Sequence, residues 1–170
     1  NPKETNRDGF TDLTLQHRIS IFNKIKTNKN SIAFRYFYED RWGGEMNWNS
    51  DYRGGNQVYG ESIYTSRFEV FGKYDLSDNL VLQYSFNNHD QNSVYGTTSY
   101  TALQTIGFIQ GVYSKRLKNH NLLLGATYRY TSYDDNTPAT EKKEVTFLPG
   151  LFVQDEWKLN NSQTLLSGIR

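Results

Sequence analysis

The chain has 170 residues, with 19 Lys plus Arg against 18 Asp plus Glu and no cysteine. Charges of both signs are interspersed, so no basic stripe offers itself to nucleic acid, and disulfides and thiolate metal sites are excluded. No apolar run approaches the roughly 18–20 residues that a membrane-spanning helix needs.

The start, Asn1-Pro2-Lys3-Glu4, is polar and carries no signal peptide, so it reads as the interior of a longer chain. Next, Glu4-Thr5-Asn6-Arg7-Asp8-Gly9-Phe10-Thr11-Asp12 partly matches a calcium loop. Glu4, Asn6, Asp8 and Asp12 take ligand positions and Gly9 the sharp turn. Leu15 stands where that loop wants Glu and no helix pair flanks it, so a simple turn competes.

From there the dominant period is two, which predicts about eight strands. The first spans Phe10 to Ile25, with Leu13, Leu15, Ile19 and Ile21 opposite Thr14, Gln16, Arg18 and Ser20. The second, Ser31 to Trp42, sets Ile32, Phe34, Tyr36 and Tyr38 against Arg35, Glu39 and Arg41. The third, Gly60 to Leu76, sets Tyr64, Phe68, Val70 and Tyr74 against Arg67, Glu69 and Lys73. The fourth runs from Leu80 towards Asn88, with Leu80, Leu82, Tyr84 and Phe86 opposite Gln83, Ser85 and Asn87. The sixth, Leu122 to Tyr133, places Leu122, Leu124, Ala126, Tyr128 and Tyr130 opposite Thr127, Arg129 and Thr131. The fifth (Thr101 to Leu117) and seventh (Val145 to Leu159) alternate less cleanly, and an eighth begins near Thr164. His17 and Asp155 fall on otherwise apolar faces, which a bulge or a position near lipid headgroups would explain.

Tight polar turns at 27–30, 77–79, 118–121 and 160–163 alternate with longer links at 43–59, around 89–100, and 134–144. Outer-membrane barrels sort their connections in this way, short on the periplasmic side and long outside. Composition agrees: 36% apolar residues but 15% aromatic, led by 13 Tyr and 10 Phe, is unusual for a core built on Leu, Ile and Val. A barrel wall in lipid needs apolar residues only at alternate positions, with aromatics at both interfaces.

At Phe152-Val153-Gln154-Asp155-Glu156-Trp157-Lys158-Leu159 the chain resembles the FxQDEWxL strand of TonB-dependent receptors, and Thr164 to Arg170 resembles the strand that follows it. The stretches Arg41 to Trp48 and Tyr59 to Gly72 resemble the Bacteroidetes branch of siderophore- and vitamin-type receptors. The resemblance implies an all-β, antiparallel transmembrane barrel of 22 strands, of which residues 1–170 supply about eight within one domain. It further implies a bacterial outer-membrane location, an N-terminal plug and drive from the TonB complex, with plug and remaining strands outside this sequence. The final Gly168-Ile169-Arg170 stops within the strand pattern, as an internal segment would.

The expected function is therefore transport: barrel wall and extracellular loops for uptake of a small nutrient such as a metal chelate or vitamin. Its partners would be outer-membrane lipid, the rest of its own barrel, the plug and the TonB complex, with no nucleic acid and no cofactor. A complete eight-stranded outer-membrane barrel, as adhesin, anchor or enzyme, is the alternative, and a soluble barrel or sandwich a third class. Nothing in the sequence supports catalysis, since the three histidines fall on separate elements and there is no cysteine nucleophile, no HExxH and no phosphate-cradling glycine motif. Ligand contacts are expected in the loop after the second strand, at Trp42, Glu45, Trp48, Tyr52, Arg53 and Tyr59, where aromatic planes and charges stand among glycines. His89, beside Asp90, is a further candidate on the same side, with a plain solvated loop as the competing reading.

Overall fold

The computed structural model describes residues 3–170, so Asn1 and Pro2 of the polar start lie outside it. The chain forms β1 (Leu15–Lys26), β2 (Asn30–Gly44), β3 (Gly60–Ser77), β4 (Leu80–Tyr95), β5 (Thr98–Leu117), β6 (His120–Asp135), β7 (Glu144–Lys158) and β8 (Thr164–Ile169). A single short 3-10 turn, Ser50–Tyr52, interrupts the link between β2 and β3. All eight strands pair antiparallel with their chain neighbours in one sheet, ordered β1 to β8. The all-β, antiparallel reading therefore holds.

Directly opposed residues in an antiparallel ladder share a face, so the register sorts every side chain. One row runs Asn23, Phe34, Val70, Phe86, Gly107, Tyr130, Phe147. The next runs Ile25, Ile32, Gly72, Tyr84, Ile109, Tyr128, Pro149, and another Leu80, Tyr113, Leu124, Val153, Ile169. On the other face lie two largely polar rows, Arg35, Glu69, Asn87, Ile106, Thr131, Thr146 and Phe37, Arg67, His89, Gln104, Tyr133, Glu144, beside a largely apolar one, Ala33, Phe71, Ser85, Phe108, Arg129, Leu148. One face is thus an apolar belt and the other a mixed face that carries the Arg–Glu pairs, in phase across the whole sheet.

The belt on the apolar face has no protein cover among the described residues. Ile21 is 53% exposed, Leu124 43% and Phe147 57%, and no second layer packs on them among the described residues. A sandwich, which needs two facing layers, is absent from these residues. On the polar face, Gly125 lets the Phe152 ring lie directly against its backbone, where an added Cβ would stand 2.1 Å from the ring.

Three sequence expectations need correction. β1 starts at Leu15, not Phe10: Phe10 makes an isolated bridge to Glu45, and Leu13 lies outside any strand. The supposed long link around His89 to Tyr100 is strand on both sides, closed by Gly96 and Thr97 with Gly96 at φ +58°. No bulge excuses His17 or Asp155, because the register runs unbroken through His17–Asp40 and Leu122–Asp155. Both sit at margins of the belt: His17 is edge-on to Trp42 at 5.3 Å, and Asp155 Oδ2 is 2.7 Å from His120 Nδ1.

β1 pairs only with β2 and β8 only with β7, so the eight strands form an open sheet. Open edges with unpaired N–H and C=O groups invite self-association and are not tolerated in an apolar solvent. Residues 1–170 refolded alone in detergent should therefore run at one position on a gel, boiled or unboiled. A compact, heat-modifiable monomer would show instead that these strands close on themselves.

Candidate functional site

The link from Glu45 to Tyr59 carries most of the expected ligand contacts, and its base is tied by backbone geometry. Glu45 N–H donates to Tyr59 O at 2.9 Å, and Tyr59 N–H donates to Glu45 Oε1 at 2.8 Å. The Tyr59 hydroxyl donates to Glu61 Oε1 at 2.8 Å, and that neighbouring carboxylate pushes the phenol above its ordinary range. Glu45 and Tyr59 are thus brought together, in a structural clasp.

The body of the loop folds back over the sheet on the side of the apolar belt. Gly60, Ser62 and Tyr64 share that face with Trp42 and Asn92. Trp48 lies flat on Gly60, where a Cβ would come within 2.2 Å of its ring. Arg53 Nε donates to Ser62 Oγ at 3.0 Å, and its Nη2 donates to Asn92 Oδ1 at 2.7 Å. Its guanidinium also stands 4.7 Å over the Tyr64 ring. Ser62, Val94 and Val58 are buried beneath this cover. Trp48 and Arg53 therefore fasten the loop to the wall.

His89 lies in β4 on the polar face, opposite to Trp42, and Asp90 points to the other side. The seven expected ligand residues consequently do not converge on one cradle. The acidic turn near the start is closed on itself: Gly9 N–H donates to Glu4 Oε1 at 2.6 Å, Phe10 N–H to Asp8 Oδ1 at 2.9 Å, and Thr5 hydroxyl to Asp12 Oδ2 at 2.7 Å. Asn6 Nδ2 donates to Asp8 Oδ2 at 2.9 Å. Among the described residues no group of three or more His, Cys, Asp or Glu is arranged to hold a metal ion.

Sequence reading put Arg18, Arg35, Arg67, Glu69, Lys73 and Arg129 on the charged face, as suits a wet lumen, but proposed no site among them. Arg18 Nε donates to Glu39 Oε2 at 2.6 Å, Arg35 pairs with Glu69, and Asn87 Nδ2 donates to Glu69 Oε1 at 2.8 Å. Phe37 stands between two guanidiniums, 5.4 Å from Arg18 and 5.7 Å from Arg67. A concavity of about 730 Å³ opens on this face, lined by Ile106, Phe108, Thr127, Arg129 and Leu148. The apolar face carries a smaller crevice of about 380 Å³ over Gly107. The signal for this site was the phase of the alternation, carried strand to strand by register.

At the far end of β6 a second network closes the 136–143 link. Tyr133 hydroxyl donates to Asp135 Oδ2 at 2.6 Å and meets the Tyr100 hydroxyl at 3.1 Å. Thr137 donates to Asp135 Oδ1 through its N–H at 2.8 Å and its hydroxyl at 2.7 Å. The Thr137 hydroxyl, then Tyr133 and the Thr137 N–H, hold the Asp135 carboxyl down to about 2, and Asp135 in turn pushes the Tyr133 phenol up.

No family model, curated protein or solved structure matches the chain.

Two outcomes follow from these contacts. Arg53→Ala should loosen the 45–59 loop by about 1.5–3 kcal/mol, the worth of hydrogen bonds to a charged group, read as faster amide exchange there with β2–β4 unchanged. Because the Asp135 pKa is lowered on folding, its stabilisation is present above the ordinary Asp value of about 3.9 and is lost as pH falls towards 2. Protection of the Thr137 amide, corrected for intrinsic exchange, should hold at pH 5 and vanish near pH 2; protection independent of pH would exclude that carboxylate as the clasp.

Proposed function

With no matching relative to supply a function, the reading must come from the two faces of the sheet, and we propose that this chain forms part of the wall and outer rim of an outer-membrane transport barrel. The observation that carries the proposal is the uncovered apolar belt. Burying one large apolar side chain is worth about 1.5–3 kcal/mol, so a belt of this extent demands a covering medium. Lipid meets that demand on one face while leaving the other wet.

Three further features support it. In β2 the belt covers Ile32, Phe34, Tyr36 and Tyr38 and stops at Asp40; in β4 it covers Leu80 to Phe86 and stops at Asn88. Four outward positions span about 20 Å along the strand at ~3.3 Å per residue, or about 15 Å of height at a tilt of about 40°, within the ~25 Å band of such barrels. The paired rows also drift, from Asn23 near the turn end of β1 to Phe147 at the far end of β7. Such stagger accompanies strands tilted in a barrel wall. Finally, the charged and concave face is suited to a solvated lumen.

The finer identity we propose is a TonB-dependent receptor, on the resemblance of Phe152 to Leu159 together with its placement here. In that strand Phe152, Gln154 and Glu156 face the polar side, and Val153 and Trp157 the belt. On this reading the solute is a nutrient such as a metal chelate or vitamin, and a plug and the TonB complex act through parts outside these residues. The role is passage, without catalysis.

The facing is testable in the full-length chain inserted in vesicles. Leu124→Arg and Phe34→Arg should each destabilise it by about 2–4 kcal/mol if near the bilayer midplane, read from urea unfolding. Thr127→Arg, on the polar face beside Gln110 and Gly150, should be far milder. Equal damage at all three positions would reverse or abolish the assigned faces.

A further inference from the structure

We propose that Arg67, His89 and Gln104 form a contact site for a carboxylate or phosphate group of the solute, at the mouth of the polar face. The proposal rests on the barrel reading above and names the ligand chemistry for which that wall is built.

The three residues are neighbours by register, since Arg67 opposes His89 and His89 opposes Gln104. Side chains at directly opposed positions have Cβ atoms about 4.5–5.5 Å apart, so the three make one continuous row of donors. Charge accounting leaves Arg67 as the surplus cation, sharing Glu69 with Arg35. Arg18 is matched by Glu39, and Arg35 by Glu69. The remaining Glu69 oxygen, Oε1, already accepts from Asn87, and Arg67 Nε stands 3.7 Å from it, beyond hydrogen-bond reach. Arg67 Nε is buried without a hydrogen-bond partner among the described residues.

A guanidinium left unpartnered in this way is costly unless an oxyanion or water completes it. Its fork matches a carboxylate or phosphate in two parallel hydrogen bonds. The Phe37 ring backs the guanidinium, which limits its swing and prepares it for a ligand. Asp90, next to His89 in sequence, faces the other side of the sheet. On the polar face, Asp135 is engaged by Tyr133 and Thr137, and Glu144 lies at the far end of the row. The row stands one residue past Phe68 in β3 and three past Phe86 in β4, where the apolar belt ends. A solute descending into the lumen would meet it below the β4–β5 hairpin, at the level where the belt begins.

Phenylglyoxal, which attacks free guanidiniums, tests this on the full-length chain in vesicles, with each arginine followed by peptide mass mapping. Arg67 should react about tenfold faster than Arg35, the factor that one charge-assisted hydrogen bond is worth. Citrate or inorganic phosphate should slow Arg67 alone, while chloride at equal ionic strength should not. Protection by citrate only marks a carboxylate site, and protection by phosphate only marks a phosphate site. His89→Ala with Gln104→Ala should weaken the protection and leave the unprotected rate of Arg67 unchanged. A reaction as slow as that of Arg35 would mean that Arg67 is paired elsewhere in the chain, and equal protection by chloride would reduce the effect to screening; either overturns the proposal. A fluorophore at Leu124→Cys in the same vesicles separates the two readings. Quenching by brominated lipid without protection of Arg67 removes the anion site alone, whereas no quenching removes the barrel and the site with it.

Discussion

Everything in this molecule depends on hydrogen-bond register. Side chains alternate with period two, so a slip of one residue in any ladder would carry a whole strand's apolar set to the polar face. Seven ladders hold the same phase from β1 to β8, and the only register shift among the described residues lies at Asp75 and Ser77, beside a turn. Because the phase survives, residues as far apart in sequence as Asn23 and Phe147 lie in one row. Tight connections at 27–29, 78–79 and 118–119 help to set it, since a short turn leaves few alternative pairings.

The same register assembles the charges. Arg18 with Glu39 and Arg35 with Glu69 are cross-strand neighbours, so their pairing comes from the ladder and needs no special loop. Such half-exposed pairs add little stability singly. Their consequence here is local: they consume both acids and leave Arg67 as surplus. The links beyond the belt follow another logic, in which single polar residues act as fasteners. Arg53 binds one loop to β3 and β4, and Asp135 closes another with Tyr133 and Thr137.

The faces were legible in the sequence because Tyr84, Phe86, Tyr128 and Tyr130 alternate with polar neighbours, and alternation survives without tertiary knowledge. The extent of β4 and β5 was not. From Asn88 to Asn92 both faces are polar, so the period is lost, and Asn and Asp there imitate turn chemistry. Gly96 was the surviving signal, since a two-residue hairpin needs a residue tolerant of positive φ. At the other end, apolar spacing continued through Leu13, but the Gly9 turn and the Phe10 bridge had already left the ladder. The aromatic and charged character of the 45–59 loop was plain in sequence. Its direction was not, because nothing local says that Trp48 will lie on Gly60.

The height of the wall carries a mechanical consequence in the proposed barrel. β5 has 20 residues, or about 65 Å along the strand at ~3.3 Å per residue, far more than a bilayer requires. The β4–β5 hairpin therefore rises beyond the belt as a fully hydrogen-bonded palisade capped only by Gly96 and Thr97. A ladder of that kind bends little. Capture of a solute at this side of the pore would thus work as a rigid funnel, and hinged motion would fall to the segments 45–59 and 136–143.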